Sequence, residues 1–163
     1  ITTDLVDATG RVGRAKFFQE FIDNSEIIFS KDTVSVIPVN VKTDVINKFS
    51  ENLLLFDTGI KRRSSSILKG QKEAYGKKKF KSTSNLLKLL PDFKDNLVKG
   101  NLKIVGEILN EGWKIKRSIV SGITNENIDD LYKAAINAGA RGGKLCGAGG
   151  GGILMSMKKA RRL

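Results

Sequence analysis

The stretch KLCGAGGGG, residues 144–152, says most about how this chain folds, because five of its nine residues are glycine. The apolar residues Ile153, Leu154 and Met155 follow directly. Glycine loses the most conformational entropy on folding and offers no side chain, so such a run is favoured where backbone adopts positive φ or passes very close to another group. The stretch therefore predicts a tight backbone surface that enters a strand, and it leaves open whether that surface lines a ligand or crosses another segment.

Two common phosphate-binding patterns do not fit this stretch. A P-loop places its lysine after the glycines, whereas Lys144 precedes them here. A dinucleotide-binding turn follows a strand and opens a helix, whereas this stretch follows a helical segment and precedes an apolar strand. The sequence thus predicts neither a Walker loop nor a Rossmann turn.

The composition suits one globular domain, or one domain and a fragment, since 40% of the 163 residues are hydrophobic. No apolar run approaches the roughly 20 residues that cross a bilayer, and the first residues lack the features of a signal peptide, so we expect a cytoplasmic protein. Cys146 is the single cysteine and histidine is absent, which excludes an internal disulfide, histidine metal sites and a histidine triad. No metal ligand is assigned.

The formal net charge of +12 makes a nucleic-acid partner worth weighing, because clustered cations gain affinity for phosphates through counterion release. The basic residues form three short clusters, at residues 61–63, 77–79 and 158–162. Solvated surface and a frayed tail explain the second and third clusters equally simply. No aromatic pair of the RNA-recognition type accompanies them, so nucleic acid is not the expected partner.

Apolar periodicity predicts the regular elements. Residues 32–41 alternate and predict a strand that Pro38 ends, and the continuous apolar run of residues 51–59 predicts a strand buried on both faces, closed by a turn. Helices are expected over residues 60–76, over 82–100 with Pro91 breaking or restarting the helix, and over 101–119 with Trp113 in the core. A capping residue and acids in residues 124–130 start another helix, which Gly139 ends.

This order of elements, with helices gathered between strands, predicts an α+β fold without a domain boundary inside residues 32–157.

Residues 113–157, WKIKRSIVSGITNENIDDLYKAAINAGARGGKLCGAGGGGILMSM, carry a family resemblance. With the patterns W-x-x-K-[RK], S-x-I-[ST]-N and GGKL-x-GAG-x-GG, this run resembles the C-terminal part of GHMP-superfamily small-molecule kinases. The match is strongest to the D-glycero-D-manno-heptose 7-phosphate kinase and related sugar-kinase branch. Residues 53–68, LLLFDTGIKRRSSSIL, are similar to the strand and TG-x-x-R turn of that branch, with Arg62 on the family's arginine. The resemblance covers residues 29–157.

The resemblance implies the GHMP kinase C-terminal lobe, a ferredoxin-like α/β sandwich of helices on an antiparallel sheet, truncated at both ends. Residues 29–157 would form this domain, residues 1–28 a remnant of the N-terminal lobe or a non-native leader, and residues 158–163 a basic truncated tail. The family's Gly/Ser-rich phosphate loop has no counterpart in the sequence. Glu20 and Asp23 do not have the spacing of the family's acidic residue, so no catalytic residue is assigned.

By the same resemblance, the parent enzyme is a GHMP-type sugar kinase that transfers the γ-phosphoryl group of ATP, with Mg²⁺, to a sugar or sugar phosphate such as a heptose 7-phosphate. This chain would supply the substrate side of the cleft and be inactive alone. A homo-oligomer is compatible with the sequence, and membrane contact is not expected. The alternative is a non-catalytic basic α+β module that binds RNA or another polyanion.

The candidate site residues follow from the family's motifs. A nucleotide and substrate cleft loop would comprise Gly147, Ala148, Gly149, Gly150 and Gly151. Thr58 and Arg62 are candidates for binding the phosphorylated sugar, because a hydroxyl and a bidentate cation at a turn suit a phosphate. A solvated residue at a helix start is an equally open interpretation of Arg62.

Overall fold

The structure is a computed structural model that describes residues 25–29, 33–60, 77–119, 121–147 and 149–159. These residues form strands β1 (Ser25–Phe29), β2 (Val34–Pro38), β3 (Leu53–Asp57), β4 (Gly142–Leu145) and β5 (Ile153–Met157). The helices are α1 (Thr43–Glu51), α2 (Lys77–Val98), α3 (Leu102–Ile119) and α4 (Glu126–Asn137). The helix predicted over residues 60–76 falls, apart from Ile60, outside the described residues. Among the described residues, no helix is both long and apolar enough to cross a membrane.

The strands form two antiparallel sheets. β1 pairs with β2, while the other three strands have the order β3-β5-β4. In the larger sheet Met155 of β5 pairs with Leu55 on one side and with Lys144 on the other. Residues 154–157 of β5 are buried. The predicted α+β fold of helices on an antiparallel sheet is confirmed, and the strand that leaves the glycine-rich stretch is the centre of its sheet.

Strand β3 corrects one prediction. The apolar run of residues 51–59 predicted a strand buried on both faces, but Leu54, Leu55 and Phe56 are 42%, 67% and 40% exposed. Among the described residues β3 is an edge strand that pairs only with β5, so neighbouring strands shield its side chains from one side alone. The strand is also shorter than predicted, because Glu51 is the last residue of helix α1.

Helix α2 corrects a second prediction, since it runs unbroken from Lys77 to Val98 through Pro91. A proline in a helix removes the hydrogen bond to the carbonyl four residues earlier, here that of Leu87. Both Leu87 and Pro91 are exposed, so water can replace the lost partner there. The apolar residues Phe93 and Leu97 pack against the buried cluster of Phe49, Val105 and Met157, which holds the rest of the helix in place.

Helices α3 and α4 follow their predictions closely. The Asn125 side chain accepts a hydrogen bond from the N–H of Ile128 at 3.0 Å and caps α4. Gly139, at φ +96°, lies just beyond the end of that helix as predicted. Trp113 is 1% exposed and joins a buried cluster with Ile123, Ile128, Tyr132, Leu145 and Leu154. The prediction that Trp113 is a core residue is confirmed.

Strands β1 and β4 and helix α1 are not among the predicted elements. In β4 the sequence GGKL has the composition of a loop, and Lys144 and Leu145 were expected to belong to the glycine-rich stretch. The strand pairs with β5, and α3 packs on it without side chains between the two backbones. A Cβ added at Gly142 would collide with the carbonyl oxygen of Gly106 and lie 2.7 Å from the backbone nitrogen of Asn110. This contact sets the distance between α3 and the sheet.

We expect Gly142→Ala to lower the free energy of unfolding by about 1–3 kcal/mol, because the added methyl group must push α3 away from β4. Gly112→Ala is the matched control. Its methyl group would meet Leu86 at an ordinary 3.5 Å in the middle of α3, so it should stabilise the protein by up to about 1 kcal/mol. Urea denaturation of both variants measures the difference, and equal effects would contradict this account of the contact.

Tyr132 gives a prediction for alkaline pH. Its hydroxyl donates a hydrogen bond to Oδ1 of Asn110 at 2.7 Å, and burial raises its pKa to about 12, with the Gly143 backbone and the charge of Arg117 opposing the shift. The unfolded chain releases this proton near the ordinary pKa of 10, whereas the folded chain retains it to about 12. The free energy of unfolding should therefore fall as the pH rises between these values.

The test is denaturation across that pH range for the unchanged protein and for Tyr132→Phe. The variant should lose this component of the pH dependence, and it should be about 1 kcal/mol less stable at neutral pH because the bond to Asn110 is gone. An unchanged pH dependence in Tyr132→Phe would show that another group is responsible.

Candidate functional site

The candidate site is centred on residues 146–152, which connect β4 to β5 and are called the glycine loop below. The N–H of Cys146 donates to the carbonyl of Ile153 at 2.8 Å and closes the base of the loop. Four of its glycines adopt positive φ: Gly147 (+84°), Gly149 (+110°), Gly150 (+76°) and Gly152 (+96°). Residues with side chains rarely adopt this conformation, so the backbone conformation of the loop is by itself sufficient reason for glycine.

The turn after β3 is fastened directly to the glycine loop. Within the turn, Asp57 Oδ1 accepts from the N–H of Gly59 at 2.9 Å. The N–H of Thr58 donates to the carbonyl of Gly152 at 2.9 Å, and the N–H of Gly152 donates to the carbonyl of Ile60 at 3.2 Å. This reciprocal pair brings Thr58 next to the loop, as its assignment to the same site requires.

The other side of the glycine loop rests on the turn that precedes α4. The N–H of Gly150 donates to the carbonyl of Ile123 at 2.7 Å. Ile123 is 1% exposed and belongs to the same buried cluster as Trp113. Because the side chain of Ile123 packs in this buried cluster, its backbone is fixed and its carbonyl is a fixed acceptor for the loop.

The loop passes both turns too closely to carry side chains. A Cβ added at Gly149 would lie 2.9 Å from both the Cα and the carbonyl oxygen of Ile123. A Cβ at Gly151 would collide with the carbonyl oxygen of Ile60 and lie 3.0 Å from its side chain. Close backbone crossing therefore explains part of the glycine content.

The N–H groups of residues 149–152 divide into two sets. Those of Gly150 and Gly152 are taken by the carbonyls of Ile123 and Ile60. Those of Gly149 and Gly151 have no acceptor within the part of the chain that the structure describes. Two backbone donors beside the turns at Ile60 and Ile123 can bind an anionic or carbonyl oxygen, so the loop combines a structural crossing with N–H groups that have no acceptor in the described part of the chain.

Lys116 is a further residue of this site that the sequence reasoning did not single out. From the last turn of α3, its Nζ donates to the carbonyl of Gly147 at 2.9 Å. The side chain is half-buried and contributes a positive charge at the start of the loop. It stands at the lysine of the W-x-x-K-[RK] pattern, which was the available signal.

The structure does not place every predicted site residue. Ala148 and Arg62 lie outside the described residues, so their roles stay predictions. Among the described residues no cluster of histidine, cysteine or acidic side chains could hold a metal ion. The described part of the chain therefore does not by itself fit a Mg²⁺ site.

A surface groove of about 380 Å³ lies away from the glycine loop. It runs between β2 and α2 and is lined by Glu26, Ile37, Val98 and neighbouring residues. Lys94 crosses it with a 2.8 Å ion pair to Glu26, and the hydrogen bond that its ammonium donates to that carboxylate raises the pKa of Lys94. The groove joins the β1–β2 pair to α2, and none of the candidate site residues lines it.

Comparison with known proteins supports the family resemblance. Residues 93–161 match the family model described as "GHMP kinases C terminal". The chain is 28% identical over 138 residues to a D-glycero-alpha-D-manno-heptose 7-phosphate kinase of Campylobacter jejuni, covering 84% of this chain and 39% of the relative. It is 26% identical over 129 residues to a bifunctional fucokinase/GDP-fucose pyrophosphorylase of Arabidopsis thaliana, covering 77% and 12%.

The fold comparison agrees. The crystal structure of L. major mevalonate kinase in complex with R-mevalonate superimposes with a TM-score of 0.69 at 18% identity, covering 83% of this chain and 40% of that one. The chain thus spans less than half the length of the proteins it matches. The resemblance to the C-terminal part of GHMP kinases is confirmed, and the RNA-binding alternative is not favoured by these matches.

The glycine positions of the loop should differ in their sensitivity to substitution. Gly147→Ala should cost about 1–2 kcal/mol of stability, because φ is positive but an added Cβ meets no atom within 4 Å. Gly149→Ala should cost about 1–3 kcal/mol more, because its Cβ also presses on the backbone of Ile123. Chemical denaturation ranks the two, and a Gly147→Ala variant as unstable as Gly149→Ala would contradict the crossing at Ile123.

Proposed function

We propose, starting from the GHMP kinase C-terminal domain that residues 93–161 match, that this chain forms the substrate side of a kinase that uses ATP to phosphorylate a sugar or sugar phosphate. The observation that carries the proposal is the glycine loop, whose Gly149 and Gly151 donors lie beside the turn that holds Thr58. Phosphoryl transfer depends mainly on positioning and on stabilising charge, which fixed backbone donors can supply.

In this proposal each part of the site has a limited task. The N–H groups of Gly149 and Gly151 bind an oxygen of the substrate or of the phosphate being transferred, and the Thr58 hydroxyl helps to orient the sugar. Arg62 and Ala148 join the same site in the proposal. No described residue is assigned as catalytic base, and none is assigned as a ligand of Mg²⁺, which supplies charge neutralisation in phosphoryl transfer when bound.

The substrate class follows from two relatives. One is named a heptose 7-phosphate kinase and the other contains a fucokinase, so a sugar or sugar phosphate is the proposed acceptor, with a heptose 7-phosphate as the first candidate. The formal charge of +12 suits anionic substrates. We further propose that residues 29–157 are the domain, that residues 1–28 and 158–163 lie outside it, that the protein is cytoplasmic, and that the chain is inactive without an N-terminal lobe.

A chimera tests this function. Residues 29–157 would replace the matching C-terminal part of the Campylobacter jejuni heptose 7-phosphate kinase, and ADP release would be measured with ATP, Mg²⁺ and heptose 7-phosphate. We expect activity that depends on the sugar phosphate. Thr58→Val should lower kcat/KM by about tenfold or more, because the hydroxyl that orients the substrate is lost.

The control is Thr83→Val, which changes an exposed threonine of α2 outside the candidate site and should leave kcat/KM unchanged. Circular dichroism and gel filtration establish that each chimera is folded. A folded chimera that releases no ADP with any sugar phosphate would count against the proposed function, and equal effects of the two threonine variants would count against the role of Thr58.

A further inference from the structure

The glycine loop is held by hydrogen bonds of two kinds. Backbone bonds run from Cys146, Gly150 and Gly152 to the carbonyls of Ile153, Ile123 and Ile60, and the carbonyl of Gly152 accepts from Thr58. The second kind is the bond from Lys116 Nζ to the carbonyl of Gly147. Among the described residues, the carbonyl of Gly147 is therefore held by a side chain.

In the part of the chain that the structure describes, Gly147 is packed less closely than Gly149 and Gly151. An added Cβ at Gly147 would find no atom within 4 Å, in contrast to Gly149 and Gly151, which press on the neighbouring turns. The positive φ of +84° also leaves this glycine many alternative conformations if it is released. Within the described ranges, the bond from Lys116 is therefore the contact that holds the carbonyl of Gly147.

Lys116 is well placed to hold the loop. It lies in α3 one turn after Trp113, whose side chain is 1% exposed in the core, so the helix beneath it is rigidly packed. An ammonium that donates to a carbonyl forms a charge-assisted bond, which is stronger than a bond between neutral groups. A cation in the last turn of a helix is also favoured by the helix dipole.

We infer that Lys116 is a positioning residue, which fixes the carbonyl of Gly147 and so sets the conformation in which the glycine loop meets its ligand. It acts through the loop and need not touch the substrate. The inference rests on the proposed function only for the ligand, since the anchoring itself is a property of the free chain. Through this bond the last turn of α3 has a role in the reaction as well as in packing.

The experiment compares Lys116→Met, Lys116→Arg and Lys114→Met in the 163-residue chain. Lys114 is the matched control, since it is an exposed lysine of the same helix with a 3.9 Å ion pair to Glu111. The first readout is the set of backbone amide NMR signals of the loop glycines without ligand. Lys116→Met should shift the signals of Gly147 and Gly149, Lys116→Arg should restore positions close to the unchanged protein, and Lys114→Met should shift neither.

The second readout is the dissociation constant for heptose 7-phosphate, measured by following the same signals. We expect Lys116→Met to weaken binding about tenfold and Lys116→Arg to recover most of it, because misplaced donors lose their geometry. Loop signals of Lys116→Met that overlay those of the unchanged protein would overturn the inference. So would a Lys116→Arg variant that resembles Lys116→Met, or a loss of stability in Lys116→Met without a local shift.

The two proposals fail separately in this design. If the unchanged protein does not bind the sugar phosphate, the substrate named in the proposed function is wrong, while the ligand-free signals still decide the role of Lys116. If Lys116→Met unfolds, Lys116→Arg decides instead: it must keep the loop signals in place, and a folded arginine variant with displaced loop signals would contradict the inference.

Discussion

The structure depends on a close crossing of three backbone segments. The glycine loop passes the turns at Ile60 and Ile123 so closely that a Cβ at Gly149 or Gly151 would overlap their backbone atoms. Hydrogen bonds from Gly150 and Gly152 to those two turns then join the ends of β3, α3 and β5 at one place. A single methyl group at either position would separate the segments, so the crossing requires glycine for space as well as for conformation.

The crossing also ties the candidate site to the core. Ile123 offers its carbonyl to the loop while its side chain lies in the buried cluster with Trp113 and Leu154. The site is therefore not a flexible loop added to a finished domain. Of the four N–H groups at residues 149–152, those of Gly150 and Gly152 maintain the fold, and Lys116 links the loop to the end of α3. In the proposed function the donors of Gly149 and Gly151 serve a ligand, and such donors must be fixed before the substrate arrives.

Much of this could be predicted from the sequence, and the failures have physical reasons. Periodicity located β2, α3 and α4, and the caps at Asn125 and Gly139 were visible as local chemistry. Burial of β3 could not be predicted from its apolar run, because it depends on the sheet order, and Pro91 did not break α2, because tertiary packing holds that helix. The glycines and Thr58 were predicted as site residues, but the bond from Lys116 to Gly147 joins residues 31 positions apart, and the W-x-x-K-[RK] pattern marks the lysine without its partner.

The central claim is that the four glycine N–H groups at residues 149–152 serve two different purposes. Amide hydrogen exchange measured residue by residue on the ligand-free chain tests this most directly. The account predicts slow exchange at Gly150 and Gly152, whose hydrogen bonds fasten the loop to Ile123 and Ile60, and fast exchange at Gly149 and Gly151. Equal exchange at all four positions would contradict it, because the loop would then be either wholly structural or wholly unanchored.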